Sequence, residues 1–165
     1  MPPVAHPAAD HLDIYDMPGH LIRRLNQASI AIFDNQMRAR GYDLTPVQFA
    51  AMAKIAHEPG VDQASLAQAI GYDRVTIGGV IDRLEQKGLV RRTIDQRDRR
   101  ARRLHLLPHG AGVLAAVRPI VGDLQQDILA GLSLEEAHLL CRLLRKALNA
   151  VGDISRTSQR TEKSA

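Results

Sequence analysis

The feature that most constrains the fold of this chain is an arginine-rich segment, residues 91–103, which lies between two short runs of β-forming residues. The segment holds seven arginines and two aspartates. It follows a helix-like stretch that ends at Lys87-Gly88, and it is flanked by Leu89-Val90 and by Leu104-His105-Leu106-Leu107. This pattern predicts a β-hairpin over about 89–107, with an arginine-rich tip, directly after a helix.

The charge of this segment indicates an acidic polymer as partner. Seven arginines against two aspartates give the segment a net charge of +5, whereas the whole chain of 165 residues carries only +4. All of the excess positive charge therefore lies in one place, as is typical of a surface that binds a phosphate backbone. A solvated charged loop would have the same composition, and the segment alone leaves this alternative open.

The overall composition favours packed helices in one domain, or one domain with appendages. Hydrophobic residues make up 45% of the chain but aromatic residues only 3%, and tryptophan is absent, so the core must be aliphatic. The single cysteine, Cys141, excludes an intrachain disulfide and favours a reducing compartment. Neither a secretory signal nor an apolar run of about 20 residues is evident, so we expect a cytoplasmic protein without a membrane anchor.

Apolar spacing, capping residues and glycine stops predict helices on both sides of the hairpin. Thr45-Pro46, Asp73 and Ser133 are the clearest helix starts, and Gly41 and Gly71 are the clearest stops. The predicted helices span about 18–40, 46–58, 63–70, 74–87, 109–130 and 134–154. Residues 1–11, rich in proline and alanine, and residues 155–165, rich in polar residues, are expected to be disordered tails.

Two helices joined by a glycine-containing turn and followed by a basic hairpin predict a winged helix-turn-helix, in which the second helix enters the major groove of DNA. That helix buries a face formed by Ile77, Val80, Ile81 and Leu84. The expected fold is therefore mainly α with a small β-hairpin wing.

The outward residues of the fourth helix are candidates for contact with double-stranded DNA. Arg74 and Thr76 lie at its N-terminal end, which usually reaches the bases, and Arg83 lies further along. Phosphate contacts or surface ion pairs would explain Arg74 and Arg83 equally well. Gly78-Gly79 is unfavourable inside a helix and requires a close neighbour, which is either DNA or another helix.

The tip of the predicted hairpin is the second candidate DNA contact. Arg97, Arg99 and Arg100 are expected to reach the flanking minor groove, because narrow minor grooves attract arginine. Asp98 would be unfavourable against DNA unless it pairs with a nearby arginine and orients its guanidinium group.

These residues resemble the MarR family of bacterial transcriptional regulators over about residues 17–152. The matching motifs are Leu44-Thr45-Pro46-x-Gln48-Phe49, Ser65-Leu66-Ala67, Arg83-Leu84-Glu85-x-Lys87-Gly88-Leu89-Val90-x-Arg92, Asp98-Arg99-Arg100-Ala101 and Leu106-Leu107-Pro108-x-Gly110.

The resemblance implies a homodimer that joins through the first helix and the last two. It divides the chain into a dimerisation helix at 12–44, a DNA-binding domain at 45–107 and C-terminal dimerisation helices at 108–154. It also implies that Arg100, oriented by Asp98, enters the minor groove. Gly78-Gly79 departs from the family, because many members have Thr-Arg at these positions.

Most members of the family are repressors that a small ligand releases from a palindromic operator. The segment Tyr15 to Gln27 is similar to the opening helix of members linked to the degradation of aromatic or heteroaromatic acids. A carboxylate ligand would suit Arg24, with His20 and Gln27 on the same helical face. Met52 and Tyr72 are further candidates for the pocket, although core or dimer contacts would explain all five residues as well.

Other functions are less well supported by the sequence. Cys141 lies in an apolar helix and suits a buried thiol better than a redox sensor. His105 and His109 are separated by Pro108, so we expect no metal site, and no motif indicates a cofactor or an enzyme. An architectural protein that binds DNA without sequence preference remains an alternative.

Overall fold

The protein is mostly helical, in agreement with the predicted fold class. The structure, a computed structural model, describes residues 13–95 and 102–162. A short 3-10 turn, Ile14–Asp16, precedes the first helix. The remaining elements, in chain order, are α1 (Pro18–Ala39), α2 (Pro46–His57), α3 (Gln63–Ile70), α4 (Arg74–Gln86), β1 (Val90–Ile94), β2 (Arg102–Leu106), α5 (Pro108–Ile128) and α6 (Leu134–Glu162). Each predicted helix and the predicted hairpin are present, with bounds that agree to within a few residues except at the end of the last helix.

The helix starts that the sequence predicts are confirmed by their capping bonds. At the start of α2, the Gln48 amide donates to Thr45 Oγ1 at 3.3 Å, and the Thr45 amide donates to Gln48 Oε1 at 3.2 Å. The same reciprocal pair joins Ser133 and Glu136 at the start of α6. Each pair satisfies backbone groups that have no partner inside the helix.

The predicted end of the last helix is wrong. We expected a tail from residue 155, but α6 continues to Glu162. Polar residues favoured the tail in the sequence, yet no proline or glycine follows Gly152 to stop the helix. Arginine, glutamine and serine are only slightly less favourable than alanine in a helix. A prediction from polar composition alone therefore placed the end of α6 too early. Of the two predicted tails, residues 1–11 lie outside the described part of the chain.

The hairpin is antiparallel, with Val90 opposite Leu106 and Ile94 opposite Arg102. The chain before α3 extends it, because Gly60 donates to the Leu104 carbonyl at 2.9 Å and Leu104 donates to the Val61 carbonyl at 3.0 Å. Leu104 is fully buried. The middle of β2 is thus tied by main-chain bonds to the segment that leads into α3.

Packing divides the chain into two compact units, one ending at Ile128 and one beginning at Leu129. Within the first unit, α1 packs on α5, and α2 contacts α3, α4 and α5. The predicted division into three functional regions therefore does not coincide with packing, which joins α1, the helix-turn-helix and α5. None of the described helices combines the length and the apolar character that a bilayer-spanning helix requires.

The start of α5 lies against the strand that leads into the hairpin. A Cβ atom at Gly110 would lie 2.0 Å from the Leu89 carbonyl oxygen, which accepts a hydrogen bond from the Leu107 amide at 2.9 Å. Since these atoms belong to the backbone, they cannot move aside as a flexible side chain would. Glycine at this position therefore permits the close contact between α5 and the hairpin.

We predict that Gly110→Ala destabilises the fold by about 1–3 kcal/mol or more, because it overpacks a rigid contact. Gly112→Ala is the matched control, since a Cβ atom there meets nothing within 4 Å among the described residues. The control is expected to be neutral or to stabilise by up to about 1 kcal/mol. Urea unfolding of both variants measures the difference, and equal stabilities would contradict the predicted contact.

Candidate DNA interface

The helix-turn-helix is formed by α3 and α4, and each helix is fixed at its start by an aspartate cap. Asp62 accepts bonds from the Ala64 and Ser65 amides, both at 2.9 Å, and from Ser65 Oγ at 2.7 Å. The bonds from Ser65 lower the pKa of Asp62. Gly71, with a φ of 74°, provides the left-handed turn that ends α3.

The cap of α4 involves one of the predicted base-contact residues. Asp73 accepts a bond from the Thr76 amide at 2.8 Å and one from Thr76 Oγ1 at 2.5 Å. The hydroxyl and amide bonds from Thr76 lower the pKa of Asp73. The hydroxyl proton of Thr76 is therefore directed at the cap and is not available to a DNA base in this arrangement.

The two faces of α4 are arranged as the sequence predicts. Ile77, Ile81 and Leu84 are fully buried, and Val80 is nearly so. The candidate DNA-contact residues of this helix, Arg74, Thr76 and Arg83, are all exposed. The described structure therefore presents these three side chains to solvent, on a helix that its buried face holds in place.

The orientation of α4 relative to the hairpin depends on Arg92, a residue that sequence reasoning did not single out. The Arg92 guanidinium group donates to Asp82 Oδ1 at 2.6 Å, to Glu85 Oε2, and to the Gly78 carbonyl at 3.2 Å. The Arg92 amide also donates to Glu85 Oε1 at 2.7 Å. We call this arrangement the Arg92 clamp.

The Arg92 clamp neutralises two carboxylates on the helix that faces DNA. Asp82 lies on the exposed side of α4, where an unpaired carboxylate would repel phosphate groups. Arg103 has a similar role near the end of the strand ladder that leads to the hairpin tip, donating to Asp95 Oδ2 at 2.5 Å and to the Gly60 carbonyl at 3.2 Å. Part of the positive charge of residues 91–103 therefore compensates internal acids instead of meeting a partner.

Arg97, Asp98, Arg99 and Arg100 lie outside the described residues. Their contact with the minor groove, and the pairing of Asp98 with Arg100, stay predictions.

The predicted effector residues of α1 are joined by Arg23 and not by Arg24. Arg23 donates to Gln27 Oε1 at 3.0 Å, and its other terminal nitrogen lies 3.4 Å from His20 Nδ1. The Tyr15 ring meets the His20 ring edge-on, with centroids 5.8 Å apart. His20 Nε2 is buried and has no hydrogen-bond partner among the described residues. We call Tyr15, His20, Arg23 and Gln27 the α1 polar cluster.

The other two predicted effector residues lie elsewhere. Met52 has no exposed surface and belongs to the hydrophobic core, so packing explains its helical spacing, and its contact with an effector stays a prediction. Tyr72 is partly exposed and lines an open cleft with Gln68, Asp73 and Arg74, between α3 and α4. Its part in an effector pocket stays a prediction as well.

Known proteins agree with this geometry. Residues 44–101 match the sequence model of the MarR family. The transcriptional regulator HosA of Escherichia coli is 37% identical over 130 residues, which cover 79% of this chain and 93% of HosA. This chain belongs to the MarR family.

Solved structures of the MarR-family regulators PcaV and BpsR resemble the protein over most of its length. PcaV of Streptomyces coelicolor, in complex with its natural ligand, superposes with a TM-score of 0.77 at 30% identity and covers 86% of this chain and 98% of its own. The DNA binding of BpsR of Bordetella bronchiseptica is regulated by 6-hydroxynicotinic acid. BpsR superposes with a TM-score of 0.77 at 28% identity and covers 85% of this chain and 97% of its own. The protein is thus a DNA-binding transcriptional regulator with a winged helix-turn-helix fold.

We predict that Arg92→Ala weakens DNA binding by this MarR-family protein although Arg92 need not touch DNA. The substitution releases α4 from the hairpin and leaves the carboxylates of Asp82 and Glu85 unpaired. An unpaired, partly buried charge is more costly than the lost ion pair, so we expect at least a tenfold loss of affinity, or about 1.4 kcal/mol.

The matched variant is Arg92→Ala combined with Asp82→Asn, which removes one repelling charge. It should recover part of the affinity at low salt, where repulsion is strongest. Fluorescence anisotropy on one duplex at two salt concentrations measures both variants. Equal affinities for the wild type and Arg92→Ala would rule out the clamp as a determinant of DNA binding.

Proposed function

We propose that the protein is a homodimeric repressor that binds a palindromic operator and is released from it by a small aromatic or heteroaromatic carboxylate. The observation that carries the proposal is that α4 exposes Arg74 and Arg83 beside a fully buried stripe, which holds the helix in place. A recognition helix needs this combination, because one face must pack while the other enters the major groove.

Exposed apolar side chains support the homodimer. In α1, Leu21, Ile22 and Leu25 are exposed, and in α6 so are Leu139, Leu143 and Leu148. Several exposed apolar side chains on one helix, as in each of these two, favour a partner that removes them from water. A second copy of the chain, joined through the regions 12–44 and 108–154, is that partner in our proposal, and its two-fold symmetry would require two operator half-sites about one helical turn apart.

The arginine-rich wing supports binding to the operator on either side of the major-groove contacts. In our proposal Arg97, Arg99 and Arg100 enter the flanking minor groove, with Asp98 orienting Arg100. Arg74 and Arg83 contact bases or phosphates from α4, and Thr76 contributes its methyl group.

The α1 polar cluster supports the effector class. A guanidinium group binds a carboxylate through two hydrogen bonds, and the unpartnered His20 Nε2 and the Gln27 amide can bind polar substituents of a ring. The likeness to BpsR, which responds to 6-hydroxynicotinic acid, supports the same chemistry. Release requires that the effector binds more tightly to a conformation that does not fit the operator.

The operator prediction is tested with a duplex from the region upstream of the gene and a scrambled duplex of the same composition. Wild type should bind the first at least a hundredfold more tightly at a fixed salt concentration. Arg100→Ala should weaken binding about tenfold. It should also lower by about one the number of counterions released on binding, which is read from the salt dependence of Kd. Arg38→Ala, which removes the same charge from α1, is the control. Equal weak binding to both duplexes would instead favour the architectural alternative.

The effector prediction is tested with a panel of benzoates, hydroxybenzoates and nicotinates added to the protein–operator complex. We expect at least one compound to release the wild type, and Arg23→Ala to lose this response while it still binds the operator. The reason is that Arg23, and not Arg24, contacts both His20 and Gln27. Arg24→Ala is the matched control, and loss of the response in that variant alone would return the site to Arg24.

A further inference from the structure

The outermost ridge of α4 is formed by residues other than those that the sequence suggested. Counting about 100° per residue around the helix axis, Val75, Gly79 and Gln86 lie within about 20° of the direction opposite to Ile77. Arg74 and Thr76, counted in the same way, lie to the sides at about 60° and 100° from Ile77. The face that would descend deepest into a major groove is therefore centred on Val75 and Gly79.

Val75 is the most exposed large hydrophobic residue described in the first compact unit, with 86% of its surface accessible. It sits in the first turn of α4, where side chains reach base edges. Its side chain is apolar and offers the bases no hydrogen-bond donor or acceptor. Contact with an apolar group of a partner would remove this exposed surface from water.

The neighbouring polar residue does not provide a donor for the bases. The Thr76 hydroxyl donates to Asp73 and completes the cap of the same helix. Asp82, further along the exposed side, is held by the Arg92 clamp. The part of the ridge formed by Val75 and Gly79 therefore offers the bases shape and apolar contact, whereas hydrogen-bond readout is left to Gln86 and to the flanking arginines.

Gly78 and Gly79 differ in what surrounds them. A Cβ atom at Gly78 would lie 3.3 Å from Gln63 Nε2 on α3, a tight contact that the end of the Gln63 side chain would relieve by a small movement. A Cβ atom at Gly79 would meet nothing within 4 Å in the described part of the chain. Gly79 therefore carries the unfavourable propensity of glycine without an internal reason.

We propose that Val75 reads the 5-methyl group of a thymine in each operator half-site, and that Gly79 lets the α4 backbone approach the DNA closely enough for this contact. Among the base pairs, only those with thymine present a methyl group in the major groove, and apolar side chains recognise it. The inference deepens the proposed operator recognition and rests on it.

The test uses a duplex selected by the wild-type protein from a random-sequence library, with each thymine replaced in turn by deoxyuridine, which lacks only the methyl group. At one thymine per half-site, removal of the methyl group should weaken wild-type binding about fourfold, the value for one buried methyl group. Val75→Ala should bind the unmodified duplex with a similar loss and show no further loss with deoxyuridine. Val75→Thr, which keeps a methyl group in place, should retain part of the sensitivity.

The outcomes separate this inference from the function on which it rests. If the library yields no preferred duplex, the proposed operator recognition fails. If a duplex is found but replacing thymine by deoxyuridine weakens binding equally for wild type and Val75→Ala at every position, the methyl contact is overturned.

Gly79→Ala provides an independent test with opposite effects on two measurements. Alanine should raise Tm by about 2–4 °C, because it favours the helix, and it should weaken operator binding at least tenfold, because the added methyl group holds the helix away from DNA. Unchanged affinity in a stabilised Gly79→Ala protein would overturn the close approach.

Discussion

Burial of one apolar stripe on α4 determines which side chains of this regulator can meet DNA. Ile77, Ile81 and Leu84 have almost no exposed surface, so the helix cannot rotate about its axis without exposing them to water. The helical period then leaves Val75 and Gly79 on the opposite side. The Asp73 cap defines where α4 begins. The Arg92 clamp ties α4 to the hairpin.

The arginines of residues 91–103 do not all have the same role. Arg92 and Arg103 bind acids within the fold: Arg92 ties α4 to the hairpin, and Arg103 ties β2 to the residue that follows β1. A count of arginines therefore overstates the charge available for phosphate groups. It also follows that a loss of DNA binding on substitution in this segment does not by itself identify a DNA contact, and the paired variant at Asp82 is needed to separate the two effects.

The candidate effector site shows which contacts helical spacing can predict and which it cannot. The helical face that carries His20 and Gln27 was predicted from positions along the chain, and the structure does bring these two residues together. The arginine between them is Arg23; spacing alone allows Arg23 and Arg24 equally, because each lies three or four positions from His20 and from Gln27. Met52 shows the opposite case, since a core methionine and a pocket methionine have the same helical spacing, and only burial distinguishes them.

The sequence by itself determined the helices, the hairpin, the capping residues and the inner face of α4, because each depends on neighbours within a few positions along the chain. The end of α6 was the exception, since polar composition does not stop a helix when proline and glycine are absent. Only the tertiary structure decided that Arg92 holds Asp82 and Glu85, that Gly78 faces Gln63 while Gly79 faces open space, and that Met52 is core. These facts depend on contacts between elements, whose partners periodicity and composition do not specify.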